Sequence, residues 1–229
     1  MRNAAIIVAG GSGKRLRLKT PKQFLKICQK PMLFWSVETF LKIKSFKQII
    51  VSVHQKFLKN LKIKYKNEKL FWTKGGKERF DSVKNGLNLI HDDIDFVAIH
   101  DAARPLISVS DILKILKTAK KSKAAIAVEK TKDTIKLIDE KNTIIKTFDR
   151  IKLRNAQTPQ IFEKNLIKKA YSKKIPTNTT DDAQLVEALG TKVVAVETQK
   201  PNFKITLKSD LILAEQVLGK KAIFNSKMS

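Results

Sequence analysis

The segment Ala9-Gly10-Gly11-Ser12-Gly13-Lys14-Arg15-Leu16, with Pro21-Lys22-Gln23 close behind it, concentrates the residue types best suited to chemistry. An apolar run, Ala4-Ala5-Ile6-Ile7-Val8, leads straight into it, so the glycines fall at the carboxyl end of a strand. There, bare backbone N–H groups and the cations of Lys14, Arg15 and Lys22 converge into a donor set for a polyanion. A nucleoside triphosphate is the obvious candidate. Two common phosphate loops are excluded by spacing. A Walker A loop needs glycine five residues before its Gly-Lys pair and then Ser or Thr; here Val8 and Arg15 occupy those places. The dinucleotide fingerprint begins with Gly11-Ser12-Gly13 but meets Leu16 where its third small residue belongs.

Further polar clusters follow along the chain. They are Gly75-Gly76-Lys77-Glu78-Arg79 with Asp81-Ser82, His100-Asp101-Ala102-Ala103-Arg104-Pro105, Asp149-Arg150, Asn155-Ala156-Gln157-Thr158-Pro159-Gln160, and Lys204-Ile205-Thr206. Singly, each has a plain structural reading: a turn, an Asp101–Arg104 ion pair, a packed histidine at His100. His54 and His91 read as surface residues. The three histidines and Cys28 lack metal-ligand spacing. No G-x-S-x-G elbow, Ser-His-Asp or Cys-His pattern occurs. Together the clusters offer many cations, a glycine loop and one acid at a strand end, with no evident nucleophile or general base. That set suits phosphoryl or nucleotidyl transfer, where positioning and charge stabilisation do most of the catalysis. The attacking group can then be a phosphate already ionised at neutral pH.

The elements that must position these groups alternate. Strand patterns at Ala4–Val8, Gln48–Val53, Leu70–Trp72, Phe96–Ile99 and Ala124–Val128 are separated by helix patterns at Pro31–Leu41, Glu78–Ile90 and Asp111–Ala119, the last capped by Ser110. This predicts an α/β protein with a parallel sheet in a three-layer arrangement. In open sheets of that kind ligands bind beyond the carboxyl ends of the strands, where the clusters fall. The rhythm breaks at Thr134–Ile138 and Thr143–Phe148, two β patterns joined by Asp139-Glu140-Lys141-Asn142. This hairpin, within an insertion at about 132–153, reads as an arm whose alternating Ile135, Leu137, Ile144 and Ile145 want a partner surface, which suggests a dimer. Helices at Glu163–Tyr171, Asp181–Leu189 (capped by Thr180 or Asp181) and Asp210–Leu218 follow, with a strand at Val193–Val196 between the last two. One domain spanning residues 1–229, with an inserted arm, is the simplest organisation.

Composition bounds the class. The chain has 229 residues, 30% charged and 42% hydrophobic, as a globular protein does. Its single cysteine, Cys28, permits no intrachain disulfide, and the strand pattern at the amino terminus leaves no room for a leader. A cytoplasmic protein without a membrane span is expected. The net charge of +26 invites a nucleic-acid reading. Against it, only seven of the 47 basic residues are arginine, the preferred fork for phosphate and base recognition, and the lysines are spread along the whole chain. A solvated lysine-rich surface is the better reading, and nucleic acid is not an expected partner. Six of the seven arginines lie in or beside the polar clusters, which marks them as retained for their planar fork.

The segments AGGSGKRL with PKQFL, GGKERFDSV, HDAARP, KDTIK, DRIKLRNAQTPQIF, TDDAQLVE and NFKIT resemble those of the 2-C-methyl-D-erythritol 4-phosphate cytidylyltransferases, over roughly residues 4–218. The resemblance implies a Rossmann-like three-layer nucleotidyltransferase fold with a mostly parallel sheet and an extended β-arm that clasps a homodimer. It implies CTP as co-substrate, Mg²⁺ or another divalent cation, and methylerythritol phosphate as acceptor. By motif position it implies that Arg15 and Lys22 stabilise the pentavalent transition state. Arg150 and Lys204 would position the substrate phosphate, with Arg150 and Thr134 reaching the partner's site. Ala9, Gly10, Gly11, Gly13, Gly76 and Ser82 would hold the nucleotide. Asp101, Arg104 and Thr158 would line the polyol, with Asp101 the candidate magnesium contact. Lys77 departs from the acidic residue common after the Gly-Gly pair, and Lys14 receives no role. Ribitol 5-phosphate cytidylyltransferase is the nearest rival; HDAARP, with Ala103 leaving room beside the polyol, and TDDAQLVE favour methylerythritol phosphate.

Overall fold

The computed structural model describes residues 1–10 and 21–226, with side chains to residue 219. Gly11, Gly13, Lys14 and Arg15 therefore lie outside the described residues. In chain order the elements are β1 (Asn3–Ala9), a one-turn 3₁₀ segment (Lys22–Phe24), the short pair β2 (Lys26–Ile27) and β3 (Lys30–Pro31), α1 (Met32–Leu41), β4 (Phe46–Val53), α2 (Gln55–Lys64), β5 (Leu70–Lys74), α3 (Arg79–Leu87), β6 (Phe96–Asp101), α4 (Val109–Ser122) and β7 (Ala124–Lys130). Then come β8 (Lys136–Ile138), β9 (Ile144–Thr147), a 3₁₀ turn (Arg150–Lys152), β10 (Arg154–Glu163), α5 (Lys164–Ser172), α6 (Asp182–Glu187), β11 (Val194–Glu197) and α7 (Lys208–Ser226).

The central sheet has seven strands in the order β11-β7-β10-β6-β1-β4-β5. All neighbours pair in parallel except β10, which runs antiparallel to both β6 and β7. The strands read as continuous apolar runs because both faces are covered. The period of two sorts them: Ala5, Ile7 and Ala9 of β1 join one core with α1, α2 and α4, while Ala4 and Ile6 join the other with α3, α5 and α6. A third, smaller core of Ile27, Met32, Leu106, Ile205, Ala214 and Leu218 seats α7 against β2 and the segment after β6.

Most expected elements are present, with three differences. Helix α2 was not visible in the sequence pattern, because six of its neighbouring positions between Lys56 and Lys69 are lysine and only Phe57, Leu58 and Leu61 turn inward. Helix α4 starts at Val109 with Ser108 as its cap, the Ser108 Oγ accepting the Asp111 N–H at 3.1 Å; Ser110 sits inside the first turn. Strand β10 occupies the stretch expected only to lead into a helix. It carries Pro159, and its pairing with β7 breaks register between Ala156 and Gln160, where the Thr158–Pro159 peptide is cis. Its alternation is therefore hidden by polar residues that turn out to be buried: Gln157, Thr158 and Gln160. The arm is formed as expected. Strands β8 and β9 pair only with each other, and Leu137, Ile138, Ile144 and Ile145 are exposed. Among the described residues no helix is long and apolar enough to cross a membrane.

Candidate active site

Strands β1, β4, β5 and β6 are parallel, so Ala9, Val53, Lys74 and Asp101 end on one edge of the sheet. Because β10 is antiparallel, its amino-terminal half brings Gln157 and Thr158 to that same edge. A cleft of about 590 Å³ opens there. It is lined by Ala9 and Gly10 at the end of β1, Lys22 and Gln23 from the 3₁₀ turn, His54 after β4, residues Gly76 to Arg79 and Ser82 around the start of α3, Asp101 to Ala103 at the end of β6, and Lys204. A larger, more open depression lies along the far edge strand, around Lys66 and Phe71, away from these groups.

One wall is a glycine corner. The Ser82 Oγ accepts the Gly76 N–H at 3.0 Å and donates to the Glu78 carbonyl at 3.2 Å. Glu78 and Asp81 form a capping box, the Asp81 carboxylate accepting the Glu78 N–H at 2.9 Å. A Cβ on Gly76 would sit 1.9 Å from Asp81 Cβ, so this turn admits no side chain at all. A Cβ on Gly10 would lie 3.0 Å from Ser82 Oγ and 3.4 Å from Gly75 Cα. The backbone after β1 thus packs on the backbone after β5 at Gly75, with the Ser82 hydroxyl of α3 against it, so a ligand can approach the main chain closely.

The opposite wall is ionic. Lys204 Nζ donates to Asp101 Oδ2 at 2.7 Å, and Arg79 Nε donates to Asp101 Oδ1 at 3.1 Å. Burial works against the Asp101 carboxylate, but the Arg79 and Lys204 charges outweigh it and hold its pKa well below the usual carboxylate range. Asp101 is therefore an anion at any working pH. Lys22 Nζ donates to the Ile205 carbonyl at 3.3 Å, which places it beside the Lys204 segment. That segment is anchored: Ile205 N–H donates to the Ala103 carbonyl at 2.8 Å, and Asn202 Nδ2 donates to Gln157 Oε1 and to the Thr158 carbonyl.

The expected site residues divide into groups. Ala9, Gly10, Lys22, Gly76, Ser82, Asp101 and Lys204 line one cleft. Arg104 and Thr158 stand behind it. The Arg104 Nη1 donates to the Asn202 carbonyl at 2.8 Å, and its buried Nε has no partner within the described structure. The Thr158 hydroxyl accepts the Asp101 N–H at 3.0 Å and meets His100 Nδ1 at 3.1 Å. Thr134 and Arg150 lie exposed at the base of the arm, where Arg150 Nη1 donates to the Lys132 carbonyl at 3.1 Å; neither reaches the cleft of its own chain. Arg79 and Asp182 were not picked out as site residues. The signal for Arg79 was present, as one of few arginines in a lysine-rich chain. His54, read as a surface residue, is exposed but borders the cleft, its Nδ1 accepting the Lys56 N–H at 3.2 Å to cap α2.

His100 is structural. It is fully buried, its Nε2 faces the Arg104 carbonyl at 3.1 Å, and its ring packs on Phe40. The Nε2 must donate, so Nδ1 accepts from Thr158. Burial pushes its pKa down from 6.5 to about 4. In the unfolded chain the ring binds a proton below pH 6.5; in the folded chain it does so only near pH 4. Its contribution to stability is therefore complete above pH 6.5 and is lost as pH falls through the window to 4, by about 3 kcal/mol. Urea unfolding of the protein between pH 7 and pH 4, without divalent ions, is expected to show this loss, and His100→Asn to flatten it.

Among the described residues no three His, Cys, Asp or Glu side chains gather as a metal site. Among the described residues two carboxylates line the cleft. Glu78 belongs to the capping box of α3, which leaves Asp101. One anionic carboxylate beside a triphosphate-sized cleft fits a magnesium ion that takes most of its oxygens from substrate phosphates.

Fixed cations and a glycine corner that meet at one strand end suit the transfer of a nucleotidyl group, the chemistry of nucleotidyltransferases. The family model for IspD, 2-C-methyl-D-erythritol 4-phosphate cytidylyltransferase, matches residues 3–220, and the chain belongs to this family. The protein of that name from Endomicrobium trichonymphae is 59% identical over 218 residues, covering 95% of this chain and 99% of its own. That from Caldanaerobacter subterraneus is 41% identical, covering 96% and 100%. Among solved structures, 4-diphosphocytidyl-2C-methyl-D-erythritol synthase from Anaerococcus prevotii aligns with a TM-score of 0.82 at 30% identity, covering 95% of this chain and 98% of its own. The 2-C-methyl-D-erythritol 4-phosphate cytidylyltransferase of Francisella tularensis aligns at 0.81 and 32% identity, covering 94% and 99%.

Proposed function

We infer that this protein transfers the cytidylyl group of CTP to 2-C-methyl-D-erythritol 4-phosphate, giving 4-diphosphocytidyl-2-C-methyl-D-erythritol and pyrophosphate on the route to isoprenoids. The observation that carries the reading is the meeting of Lys22, Lys204 and Asp101 in one strand-end cleft of a chain in this family. A phosphate oxygen of the polyol forms a bond to the α-phosphorus of CTP while the bond from that phosphorus to the bridging β-phosphate oxygen breaks. The electron pair leaves with pyrophosphate. A phosphate monoester is largely dianionic at pH 7, so no base is required.

The residues divide the work. The glycine corner of Gly10, Gly76 and Ser82, with Ala9, holds the cytidine, its backbone reading the base at close range. Lys22, with Arg15, stabilises charge on the reacting α-phosphate. Lys204 turns from Asp101 to the incoming phosphate. Arg104, half-buried behind the cleft, lends its positive charge to the polyol side, and Thr158 acts by holding the Asp101 backbone. Mg²⁺, held by the CTP phosphates and Asp101, would supply further neutralisation of the triphosphate. The enzyme works in the cytoplasm as one domain and as a homodimer: Thr134 and Arg150, exposed at the base of the arm and not part of the lining of their own cleft, serve the partner's. Substituting both Ile144 and Ile145 by lysine is expected to give a monomer in sedimentation velocity with little turnover; an active monomer would contradict the clasp.

Pyrophosphate release with CTP and either polyol phosphate tests the function. Faster release with 2-C-methyl-D-erythritol 4-phosphate is expected, and a preference for ribitol 5-phosphate would overturn the assignment.

A further inference from the structure

Asp182 lies outside the cleft, fully buried at the start of α6, yet Arg79 joins it to Asp101 in the cleft. Arg79 presents its two terminal nitrogens to it, Nη1 to Oδ1 at 3.0 Å and Nη2 to Oδ2 at 2.7 Å. The Tyr171 hydroxyl donates to Oδ1 as well. The first turn of α6 is itself fixed: the Gln160 Oε1 accepts the N–H groups of Asp182 and Ala183, each at 3.0 Å, and Gln160 Nε2 donates to Asp181 at 2.7 Å. Four charges therefore alternate from the cleft to the core: Lys204, Asp101, Arg79, Asp182.

We propose that Asp182 is a positioning residue for the transfer reaction, acting through Arg79 to set the orientation of Asp101 while leaving that carboxylate able to bind. A guanidinium can grip a carboxylate with two parallel N–H···O bonds, either across its Nη1–Nη2 end or along its Nε–Nη2 side. Here the end is committed to Asp182, which fixes the plane of the fork, and Asp101 receives only the Nε at 3.1 Å. A carboxylate has about four lone-pair sites. Arg79 and Lys204 take one each, and the remainder are left for a polyol hydroxyl or a phosphate-borne cation. Were Asp182 absent, the Arg79 fork would be free to turn onto Asp101 in a bidentate grip, consume both oxygens and displace Lys204. Tyr171 and Gln160 hold Asp182 in place but touch neither Arg79 nor the cleft by any hydrogen bond of their own.

The inference rests on the cytidylyl-transfer reading, and the experiment separates the two. Wild type, Asp182→Asn, Asp182→Glu and Tyr171→Phe are assayed for pyrophosphate release with CTP and 2-C-methyl-D-erythritol 4-phosphate, alongside thermal melts. An inactive wild type would count against the reaction, not against Asp182. With an active wild type, Asp182→Asn is expected to lose roughly 10–100-fold in kcat, as outer partners of a site group typically do. The KM for CTP should stay within about threefold, because the glycine corner is untouched. Tyr171→Phe should melt earlier with kcat unchanged. If Asp182→Asn does not fold, Asp182→Glu, which keeps the charge but displaces the fork, is expected to show the same loss in kcat. Asp182 variants that melt early but turn over like Tyr171→Phe would overturn the proposal.

Discussion

Lys22→Ala is expected to lower kcat by about 10²–10³ while leaving the fold intact. Lys22 sits in the 3₁₀ turn after the glycine-rich segment, half-buried at the cleft wall, with its ammonium 3.3 Å from the Ile205 carbonyl. That carbonyl belongs to the segment that carries Lys204, so the two lysines stand beside each other at the cleft. A preorganised cation of this kind acts most on the charge that develops in the transition state, which is why kcat should fall more than the KM for CTP rises. The fold does not depend on it: the buried residue of the turn is Gln23, and Lys22 itself belongs to none of the three cores. Steady-state kinetics with a thermal melt are the check. A variant that folds normally and turns over within threefold of wild type would remove Lys22 from the chemistry. Arg15, implied to share this role, lies outside the described residues, and its alanine variant is expected to lose comparable activity.

Asp101→Asn is expected to damage both activity and stability. Asp101 is buried at the end of β6 and is the one anion between Arg79 and Lys204. Neutralising it leaves two cations facing each other in a partly dry cleft, and breaking a buried pair on one side typically costs about 3–5 kcal/mol. The backbone tie from the Asp101 N–H to Thr158 survives, so β6 should keep its course and the protein should still fold at low temperature. Activity is expected to fall by about 10²–10³, because the variant loses a fixed charge of the site and releases Lys204 from its rest position. Urea unfolding and pyrophosphate release are to be read on the same preparation. A stable variant with wild-type turnover would show the carboxylate to be dispensable.

How much was readable beforehand depends on the physical signal each element carries. Strands β1 and β6 were legible because they are buried on both faces and so appear as apolar runs ending at Gly10 and at Asp101, and β4 by the Ile49-Ile50-Val51 run at its centre. Strand β10 was not, because its inward positions near the site are Gln157, Thr158 and Gln160, polar groups buried only because each finds a partner across the sheet edge. Helix α2 was hidden by lysines that cover its outer face. For the site, residue types marked the polar clusters that hold Lys22, Asp101, Lys204 and the glycines, the resemblance supplied their expected roles, and chain order and strand direction bring them to one edge. The Arg79–Asp182 contact bridges 103 positions in sequence, and only the packing of α6 against β10 brings its ends together. The same holds for the spent hydroxyl of Thr158: its type suggested a ligand, but its partners, His100 and the Asp101 backbone, are set by the tertiary fold.

The central claim is that the cleft moves the α-phosphoryl group of CTP, with its nucleoside, onto a phosphate monoester. Incubation with CTP labelled at the α-phosphorus and 2-C-methyl-D-erythritol 4-phosphate, followed by separation of the products, tests it directly. The label is expected in the nucleotide-linked polyol, with pyrophosphate unlabelled and equal in amount. Label found in free CMP or CDP, with no polyol-linked product, would contradict the account.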